Sequence, residues 1–368
     1  MSQKKVAVIF GGRSGEHVVS LRSAASIMEA IDREDYEIVP VGITREGVWL
    51  TGPDAWFSLW ENRYPREAHR TVLLTDPSNP GLLVQSDNSP SEWHFQPIDI
   101  AFPILHGTYG EDGTVQGLLE MAGIPYVGSG VLASSVAMDK VFMKMLFKEH
   151  GLPVAPYLYF YRWQWNNREN YWIAQIIEAL SFPCFVKPAN LGSSVGITKV
   201  KSVDDLVQAI EEALLYDDKV IVEKFLEGRE IECSVMGDLE PEVSRPGEVI
   251  PCNEFYDYQA KYIDDRSELV IPVELGQELE DKVREYSEKA FKAVEASGLA
   301  RVDFFVNTNT GLVTVIEINT IPGFTSISMY PKLWEASGVK YEKLVRRLLE
   351  LAETRFHRRN SLMVTPPE

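Results

Sequence analysis

Apolar positions recur at strand and helix spacing in the N-terminal part of the chain. Continuous apolar runs predict β-strands at residues 6–10, 37–43 and 99–105. Apolar positions with helical spacing predict helices at residues 17–31 and 114–122. The expected buried face of the first helix consists of Val18, Leu21, Ala25 and Met28. Strands that alternate with helices indicate an α/β fold with a parallel sheet.

Residues 51–97 interrupt this alternation. They are rich in Pro, Ser, Asn and Trp, and no combination of residues in them suggests a catalytic or binding site. Pro, Ser and Asn are typical of turns and loops. We therefore interpret this stretch as an insertion or a set of surface loops.

The rest of the chain has a different order of elements. The predicted elements are, in chain order, a helix at 139–150, strands at 182–186 and 197–200, a helix at 203–215, a strand at 219–225, a mobile loop at 253–270, and helices at 278–297 and 341–356. The strands at 182–186 and 197–200 flank a loop rich in Gly and Ser. Strand, loop, strand, helix and strand in this order do not form half of a Rossmann fold.

Composition narrows the classes of partner. The 368 residues carry a formal net charge of −18, which disfavours nucleic acid and anionic membranes because both need a basic surface. No apolar run reaches the roughly 20 residues of a membrane span, and the first apolar run is too short for a signal peptide. Cys184, Cys233 and Cys252 have neither metal-site nor disulfide spacing, which fits a reducing cytoplasm.

A polar cluster stands among apolar residues near the C-terminal end. A turn signal at residues 307–311 separates two strand-like runs, one with Arg301 and Asp303 and the other with Glu317 and Asn319. Residues two apart in a strand share a face. A symmetric hairpin would place Arg301 opposite Glu317, with Asp303 diagonal to it and all four side chains on one face.

Two carboxylates at such close range need a cation. Like charges about 4 Å apart repel by about 4 kcal/mol at an effective dielectric constant of about 20. Asp, Glu and Asn oxygens suit Mg²⁺, whose remaining ligands are usually phosphates. The alternative interpretation is a structural ion pair between Arg301 and Glu317.

Two segments in the middle of the chain suggest phosphate or nucleotide binding. The loop at residues 187–196 offers backbone N–H groups and hydroxyls, although it is not a P-loop and a plain hairpin is the alternative. Lys187 ends a buried strand, where a lysine seldom stays unpaired. Glu223 ends another strand, and it is expected either to border a nucleotide at an interdomain hinge or simply to be solvated.

Two loops in the N-terminal half follow strands. Residues 11–16, Gly-Gly-Arg-Ser-Gly-Glu, precede a helix whose N-terminus attracts anions. Phe10 stands where a dinucleotide fingerprint needs glycine. Glu16 beside such an anion site fits a zwitterionic ligand better than a phosphate. The second loop starts at His106, for which a structural role in the turn and a ligand-binding role are both open.

Together these segments closely resemble the D-alanine–D-alanine ligases, ATP-grasp enzymes, and in particular their longer subgroup. The resemblance extends over nearly the whole chain except residues 50–97. It rests on residues 11–20, 106–113, 138–140, 187–196, 223–232, 256–262, 301–303 and 317–330. It implies an N-terminal parallel-sheet domain at 1–138, followed by a two-part ATP-grasp fold at 139–230 and 231–368.

The resemblance also implies an activity. ATP would phosphorylate the carboxylate of one D-alanine, and the amine of a second D-alanine would attack the acyl phosphate. Two Mg²⁺ ions, or Mn²⁺ in their place, would be held by Asp303, Glu317 and Asn319. The residues expected to bind ATP are Lys140, Lys187, Ser193, Ser194, Glu223, Lys224, Phe225, Leu226 and Glu230.

Other residues are expected at the two D-alanines. Glu16 would bind the ammonium of the first and connect through Ser194 to Tyr262. Arg301 and the Gly323 N–H would stabilise the tetrahedral oxyanion. The remaining residues expected at the substrates are His106, Lys261, Ser328 and Met329, the last in place of the leucine usual in the family.

Alternative functions come from three classes. Ligases that make D-alanyl-D-lactate or D-alanyl-D-serine are the nearest, and Tyr262 favours the dipeptide. A Rossmann dehydrogenase would need the glycine that Phe10 replaces. A nucleotide sensor without turnover would need neither Glu16 nor Tyr262. The family further implies a cytoplasmic homodimer that acts on ATP and D-alanine, without nucleic acid or membrane as partner.

Overall fold

Three β-sheets with helices packed against them form the fold. The computed structural model describes residues 3–63, 67–86, 89–192, 195–250 and 268–363. The strands in these ranges are β1 Lys4–Gly11, β2 Tyr36–Ile43, β3 Trp49–Thr51, β4 His69–Leu73, β5 Gly81–Gln85, β6 Trp93–Pro97, β7 Ile100–Pro103, β8 Tyr157–Tyr161, β9 Cys184–Pro188, β10 Thr198–Val200, β11 Lys219–Lys224, β12 Arg229–Gly237, β13 Glu242–Val243, β14 Gly247–Ile250, β15 Glu268–Val270, β16 Gly298–Asn307 and β17 Leu312–Asn319. The helices are α1 His17–Ala30, α2 Ala55–Trp60, α3 Thr114–Met121, α4 Val131–Met138, α5 Lys140–Glu149, α6 Arg162–Leu180, α7 Val203–Ala213, α8 Gln277–Ala293, α9 Met329–Ala336 and α10 Tyr341–Asn360.

The first sheet contains seven strands in the order β6-β5-β4-β3-β2-β1-β7. β1 pairs in parallel with both β2 and β7, which confirms the predicted parallel sheet. Every residue of β1 from Val6 to Gly11 is buried. A parallel strand that is covered on both faces needs apolar residues at successive positions, which explains the continuous apolar run in the sequence.

The interpretation of residues 51–97 as loops is wrong. Within this stretch α2 is followed by β4, β5 and β6, which extend the sheet by antiparallel pairing beyond β3. β6 is mostly exposed, so it lacks the apolar alternation by which a strand is recognised. Each of these three strands has only five residues, and the turn residues between them dominate the local composition.

The buried face of α1 differs from the predicted one. Leu21 is buried as expected, but Val18 is 41% exposed, whereas Ser20 and Ser23 are fully buried. The hydroxyl of Ser20 accepts a hydrogen bond from Gly11 N (2.8 Å) and donates one to the carbonyl oxygen of Ile104. Burial of these serines is tolerated because their hydroxyls are hydrogen-bonded. The buried face of α1 therefore includes Ser20 and Ser23 and leaves Val18 exposed.

The second and third sheets are antiparallel. The second has the strand order β10-β9-β11-β8, and the third has the order β15-β14-β12-β16-β17 with β13 paired to β12. All the pairings observed among their described strands are antiparallel, as expected for a fold that is not a Rossmann half. β8 and α6 have no counterpart among the predicted elements.

The long helix α10 packs on the first sheet and on α1. Leu344, Val345 and Leu348 of α10 share a core with Leu21 and Phe102. One turn from its end, the buried Arg355 binds the carbonyl oxygens of Gly128 and Tyr126 (3.2 Å to the latter) and the hydroxyl of Ser297 (2.5 Å). The helix thereby ties the third sheet to the first.

Replacing Arg355 by Met should destabilise the fold by about 1–3 kcal/mol, because buried carbonyl oxygens lose their donor. The matched control is Arg358→Met in the same helix. Arg358 is partly exposed and pairs with Asp238 at 2.7 Å, so its loss should cost about 0–1 kcal/mol. Denaturant unfolding of both variants measures the difference, and equal midpoints would show that Arg355 does not connect the sheets.

Candidate active site

The hairpin of β16 and β17 places its four polar residues in two opposed pairs. Arg301 lies opposite Asn319, and Asp303 lies opposite Glu317. The predicted pairing of Arg301 with Glu317 is therefore wrong by two positions. The predicted pairing is centred on residue 309 and leaves three residues in the turn, whereas the turn between Asn307 and Leu312 contains four, which shifts the register by one position. The β-bulge between Asp303 and Phe304 shifts it by one more.

Arg301 is held by two carboxylates. It donates two hydrogen bonds of 2.7 Å to Asp303, and its Nε lies 3.0 Å from Oε2 of Glu232 on the neighbouring strand β12. Burial opposes the charged guanidinium, but Asp303 and Glu232 outweigh burial and raise the pKa of Arg301. Glu232 is not among the residues expected at the site. Its signal was a lone acid in the apolar run from Ile231 to Met236.

The donors on this hairpin fit a divalent cation that also binds phosphate. Asp303 is buried, and each of its oxygens accepts one hydrogen bond from Arg301. The side-chain oxygen of Asn319 already accepts from Ile321 N at 2.9 Å. Among the described residues no group of three His, Cys, Asp or Glu side chains forms a metal site. Two carboxylates and an amide suit Mg²⁺, which brings phosphate and water as its other ligands.

Glu223 lies between two lysines. Its Oε1 is 2.8 Å from Nζ of Lys144, and its Oε2 is 2.5 Å from Nζ of Lys187. Burial alone would raise the pKa of Glu223, but the two ammonium groups lower it to about 2. The expectation that Glu223 is solvated at a strand end is wrong. Lys144, which the sequence analysis missed, also donates to the carbonyl oxygen of Ile316 at 2.9 Å.

Lys140 and Lys187 lie near Glu317. Burial lowers the pKa of Lys140, whereas Glu223 outweighs burial and raises that of Lys187. The charge of Glu317 acts favourably on both lysines and on Arg301. The structure thus joins the predicted phosphate-binding lysines to the predicted metal-binding hairpin.

The residues expected at the base and ribose lie at the end of β11, in the connection that follows it and at the start of β12. The backbone N–H groups of Lys224 and Phe225 donate to the carbonyl oxygens of Pro156 (2.9 Å) and Pro183 (3.2 Å). Leu226 is half-buried in the connection to β12, and Glu230 lies on β12 close enough to affect Lys187 electrostatically. The connection therefore runs from the second sheet into the third, next to the lysine cluster.

Glu16 lies where three segments meet. It immediately precedes α1, and a Cβ at Gly107 would come within 2.8 Å of its Oε2, while one at Gly192 would come within 3.2 Å. Gly107 also has a φ of +75°, in the left-handed region. The absence of a side chain at both glycines leaves room for the Glu16 carboxylate between the loop after β7 and the loop after β9.

A second buried acid, Glu111, lies beside Glu16. Its Oε2 accepts a hydrogen bond of 2.7 Å from Gly107 N. Burial, with the negative charges of Glu16 and Glu317, raises the pKa of Glu111 well above its usual value. Sequence reasoning treated Glu111 only as part of a loop, because nothing in the local sequence shows that it is buried.

His106 connects α1 to the segment after β17. Its Nδ1 lies 2.9 Å from the carbonyl oxygen of Ile321 and must donate to it, so Nε2 accepts from the hydroxyl of Ser23 at 3.3 Å. The Ser23 oxygen in turn accepts from Phe324 N at 3.2 Å. Gly323 lies between these two anchored residues, so His106 and Ser23 hold the backbone on both sides of its N–H.

Of the three residues expected at the second D-alanine, Ser328 lies near Gly323, and Met329 follows it directly. A Cβ at Gly323 would be 3.3 Å from Oγ of Ser328, which is hydrogen-bonded to Thr325. The side chain of Met329 is buried in a core with Val249 and Leu333, so its backbone is the part that remains for a ligand. Four other residues with predicted roles lie outside the described ranges, as does most of the predicted mobile loop: Ser193, Ser194, Lys261 and Tyr262.

Replacing His106 by Gln should weaken the loss of stability in acid. Burial lowers the pKa of His106 below its usual 6.5, so as the pH falls below 6.5 the unfolded chain gains a proton before the folded chain does, and stability declines. Gln cannot titrate, so the decline should become shallower, while His17, whose pKa is also lowered by burial, maintains part of it.

The matched control is His94→Gln, at an exposed position. Thermal unfolding between pH 7.5 and 5 compares the three proteins. Equal slopes for the wild type and His106→Gln would contradict the burial of a neutral imidazole.

Comparison with known proteins identifies the family. The model described as D-ala D-ala ligase N-terminus matches residues 5–129, and the model described as D-ala D-ala ligase C-terminus matches residues 146–350. A D-alanine–D-alanine ligase of Natranaerobius thermophilus is 49% identical over 361 residues, 96% of each chain. The one from Caldicellulosiruptor bescii is 48% identical over 362 residues, 98% of each chain.

Solved structures resemble the whole chain. The VanG D-Ala:D-Ser ligase from Enterococcus faecalis has a TM-score of 0.85 at 36% identity, over 95% of this chain and 100% of that one. The D-alanine-D-alanine ligase from Coxiella burnetii has a TM-score of 0.84 at 34% identity, over 98% and 97%. The predicted ATP-grasp fold class is therefore confirmed. The family matches in both halves and the nearly full-length relatives show that the chain belongs to the D-alanine–D-alanine ligase family.

Proposed function

We propose that this protein joins two molecules of D-alanine to D-alanyl-D-alanine, for cell-wall precursor synthesis, with conversion of ATP to ADP and phosphate. The observation that carries the proposal is the cluster in which the positive charges of Lys140, Lys187 and Arg301 interact favourably with Glu317, opposite which Asp303 lies. Cations placed around paired carboxylates suit a nucleotide phosphate bound with a metal. The family and its curated relatives, named D-alanine–D-alanine ligases, agree with this chemistry.

The nucleotide is proposed to bind between the second and third sheets. Lys140 and Lys187 bind the phosphates, and the segment from Glu223 to Leu226, with Glu230, borders the base and ribose. Asp303, Glu317 and Asn319 hold two divalent cations, Mg²⁺ or Mn²⁺. When bound, these ions neutralise charge that develops on the transferred phosphoryl group. Because the pKa of Glu223 is about 2, its carboxylate is ionised at neutral pH and keeps Lys187 charged and in place.

The first D-alanine is proposed to lie between Glu16 and Arg301. Glu16 binds the ammonium group of this D-alanine. A carboxylate oxygen of the D-alanine attacks the γ-phosphorus of ATP, which displaces ADP and forms an acyl phosphate. The nitrogen of the second D-alanine, after losing a proton, then attacks the acyl carbon. Arg301 and the Gly323 N–H stabilise the oxyanion until phosphate leaves. His106 and Ser23 support this step because they fix the backbone around Gly323.

The second D-alanine is proposed to bind at Ser328, the Met329 backbone and Lys261. Lys261, together with Ser193, Ser194 and Tyr262, would close the site and exclude water from the acyl phosphate. A hydroxy acid or D-serine as second substrate is the alternative. A D-Ala:D-Ser ligase and a D-alanine-D-alanine ligase resemble the chain about equally in fold, so only product analysis separates these substrates.

Three further features belong to the proposal. The chain is divided at 138 and 230 into a substrate domain and two ATP-grasp parts, and the three sheets follow this division except that β12 of the third sheet already begins at Arg229. It works in the cytoplasm as a homodimer. No helix in the described residues is long and apolar enough to cross a membrane.

Phosphate release from ATP, with and without D-alanine, tests the function. The purified protein should release phosphate only when D-alanine is present, and D-alanyl-D-alanine should form in equal amount. Release without D-alanine, or none at all, would contradict the proposal. Product analysis with equal D-alanine, D-serine and D-lactate decides the second substrate, and dipeptide with D-alanine should predominate.

Glu317→Gln should lower turnover by at least about a hundredfold, because a carboxylate ligand and its charge are lost together. The control, Glu335→Gln, makes the same change at an exposed position and should leave turnover unchanged. If excess Mg²⁺ restores nearly normal turnover to Glu317→Gln, the Glu317 side chain contributes only to the affinity for Mg²⁺. Normal turnover at ordinary Mg²⁺ would remove Glu317 from the metal site.

Gly107→Ala should raise the KM for D-alanine. The new Cβ would lie only 2.8 Å from Oε2 of Glu16, so the Glu16 carboxylate would have to move. The matched control is Gly311→Ala, whose φ is +71° and whose Cβ would have nothing within 4 Å. Both variants have the same strain of about 1–2 kcal/mol from a left-handed backbone. Only the first should change steady-state kinetics, and equal effects of both would show that backbone strain is the cause.

A further inference from the structure

The loop between β9 and β10 is held at its start by one carboxylate. Oδ2 of Asp217 accepts hydrogen bonds from the backbone N–H of Asn190 (2.9 Å) and from its side-chain amide (2.7 Å). The other oxygen of Asp217 accepts from Lys219 N at 3.2 Å, which fixes the orientation of the carboxylate. Asp217 therefore commits both of its oxygens to this junction, although it lies 27 residues from Asn190 in the chain.

Tyr216, which precedes Asp217 in the chain, contacts the other end of the loop. The ring of Tyr216 lies against Gly196, where a Cβ would be 2.7 Å from its Cδ2. Gly196 also has a φ of +69°. Tyr216 and Asp217 thus contact the two ends of the segment that carries the proposed phosphate-binding groups.

The start of the loop is also tied to the start of α5. Lys140 donates from its backbone N–H to the carbonyl oxygen of Ala189 (3.0 Å) and from Nζ to that of Leu191. Asp139 caps α5 through Val141 N and pairs with Nζ of Lys219. Residues 217–219 therefore hold both partners of the Lys140 contact, the loop through Asp217 and the helix through Lys219.

These contacts have a geometric consequence for the lysines. Lys187 is the second-last residue of β9, and Lys140 stands at the first position of α5. The separation of their ammonium groups is set by how the loop start and the helix start are placed. Asp217 is only half-buried and lies outside the hydrophobic cores, so it adds little to packing.

We infer that Asp217 is a positioning residue for the phosphates of the nucleotide. Asp217 holds Asn190 and thereby the start of the loop, so that Lys140 and Lys187 can bind the same phosphate chain. This inference rests on the proposed function. Asp217 touches no substrate in this arrangement and acts through Asn190.

Asp217→Ala tests the inference in the full-length protein. Losing both hydrogen bonds to Asn190, together with the one from Lys219 N, should raise the KM for ATP about tenfold. The KM for D-alanine should stay within about twofold, and the melting temperature should change little. Asp218→Ala is the matched control, because Asp218 is adjacent and its side chain is 80% exposed, paired only with Arg162 among the contacts observed for it in the described structure. That variant should resemble the wild type in all three measurements.

A double variant separates positioning from general damage. Asn190→Ala removes one of the two bonds to Asp217 and should give a smaller rise in the KM for ATP. Asp217→Ala combined with Asn190→Ala should be no worse than Asp217→Ala alone, because both act through the same contact. Additive effects would overturn the inference, since they would mean that Asp217 acts by another route.

The remaining outcomes are also decisive. A lower melting temperature with an unchanged KM for ATP would reduce Asp217 to a structural residue and overturn the inference. Equal rises in the KM values for ATP and D-alanine would do the same. If the wild type shows D-alanine-dependent phosphate release, each of these results counts against the inference alone. If it shows none, the proposed function fails first.

Discussion

The carboxylate of Glu223 binds the ammonium groups of Lys144 and Lys187, and this contact joins α5, β9 and β11 in the interior. Lys144 extends the connection to β17 through the carbonyl oxygen of Ile316, next to Glu317. The second sheet is thereby fastened to the hairpin of the third sheet at the point where nucleotide and metal are proposed to meet. The same region of β17 is also joined to α5 by a contact between Ile318 N and the sulfur of Met143 at 3.4 Å.

Such a cluster contributes little to stability in itself. Taking charges out of water costs several kcal/mol per ion, and pairing restores about that amount only when the geometry is good. A chain with a net charge of −18 nevertheless brings the charges of Lys140, Lys187 and Arg301 to act on one half-buried carboxylate, that of Glu317. This arrangement is best explained by the ligand, because a nucleotide is strongly anionic and needs local positive charge whatever the overall charge of the protein.

Backbone groups in the site are positioned by side chains from distant segments. His106 and Ser23 hold the segment around Gly323, and Asp217 holds the start of the loop at Asn190. Backbone N–H groups are effective partners for developing negative charge only when they are fixed before the reaction, since reorganisation would consume the benefit. The residues that fix them are therefore as important to the proposed chemistry as those that touch the substrates.

The sequence by itself determined the elements whose signals are local. The apolar run of β1, the amphipathic pattern of α7 and the polar residues Arg301, Asp303, Glu317 and Asn319 can all be read without a structure, because period and turn chemistry depend on near neighbours. The strands β4 to β6 escaped detection, because each has only five residues and turn residues dominate the composition between them; β6, the exposed edge strand, also lacks apolar alternation. The fold class followed from the order of these elements and from family resemblance.

Only the tertiary structure decided how these residues are paired. The register of the hairpin depended on a four-residue turn and a bulge, neither of which changes the local polarity pattern. The partners of Arg301 and Glu223, namely Glu232 and Lys144, lie on other elements, and the buried state of Glu111 and Ser23 depends on what packs over them. Local sequence carries the chemical groups, whereas burial and long-range contacts set their distances and charge states.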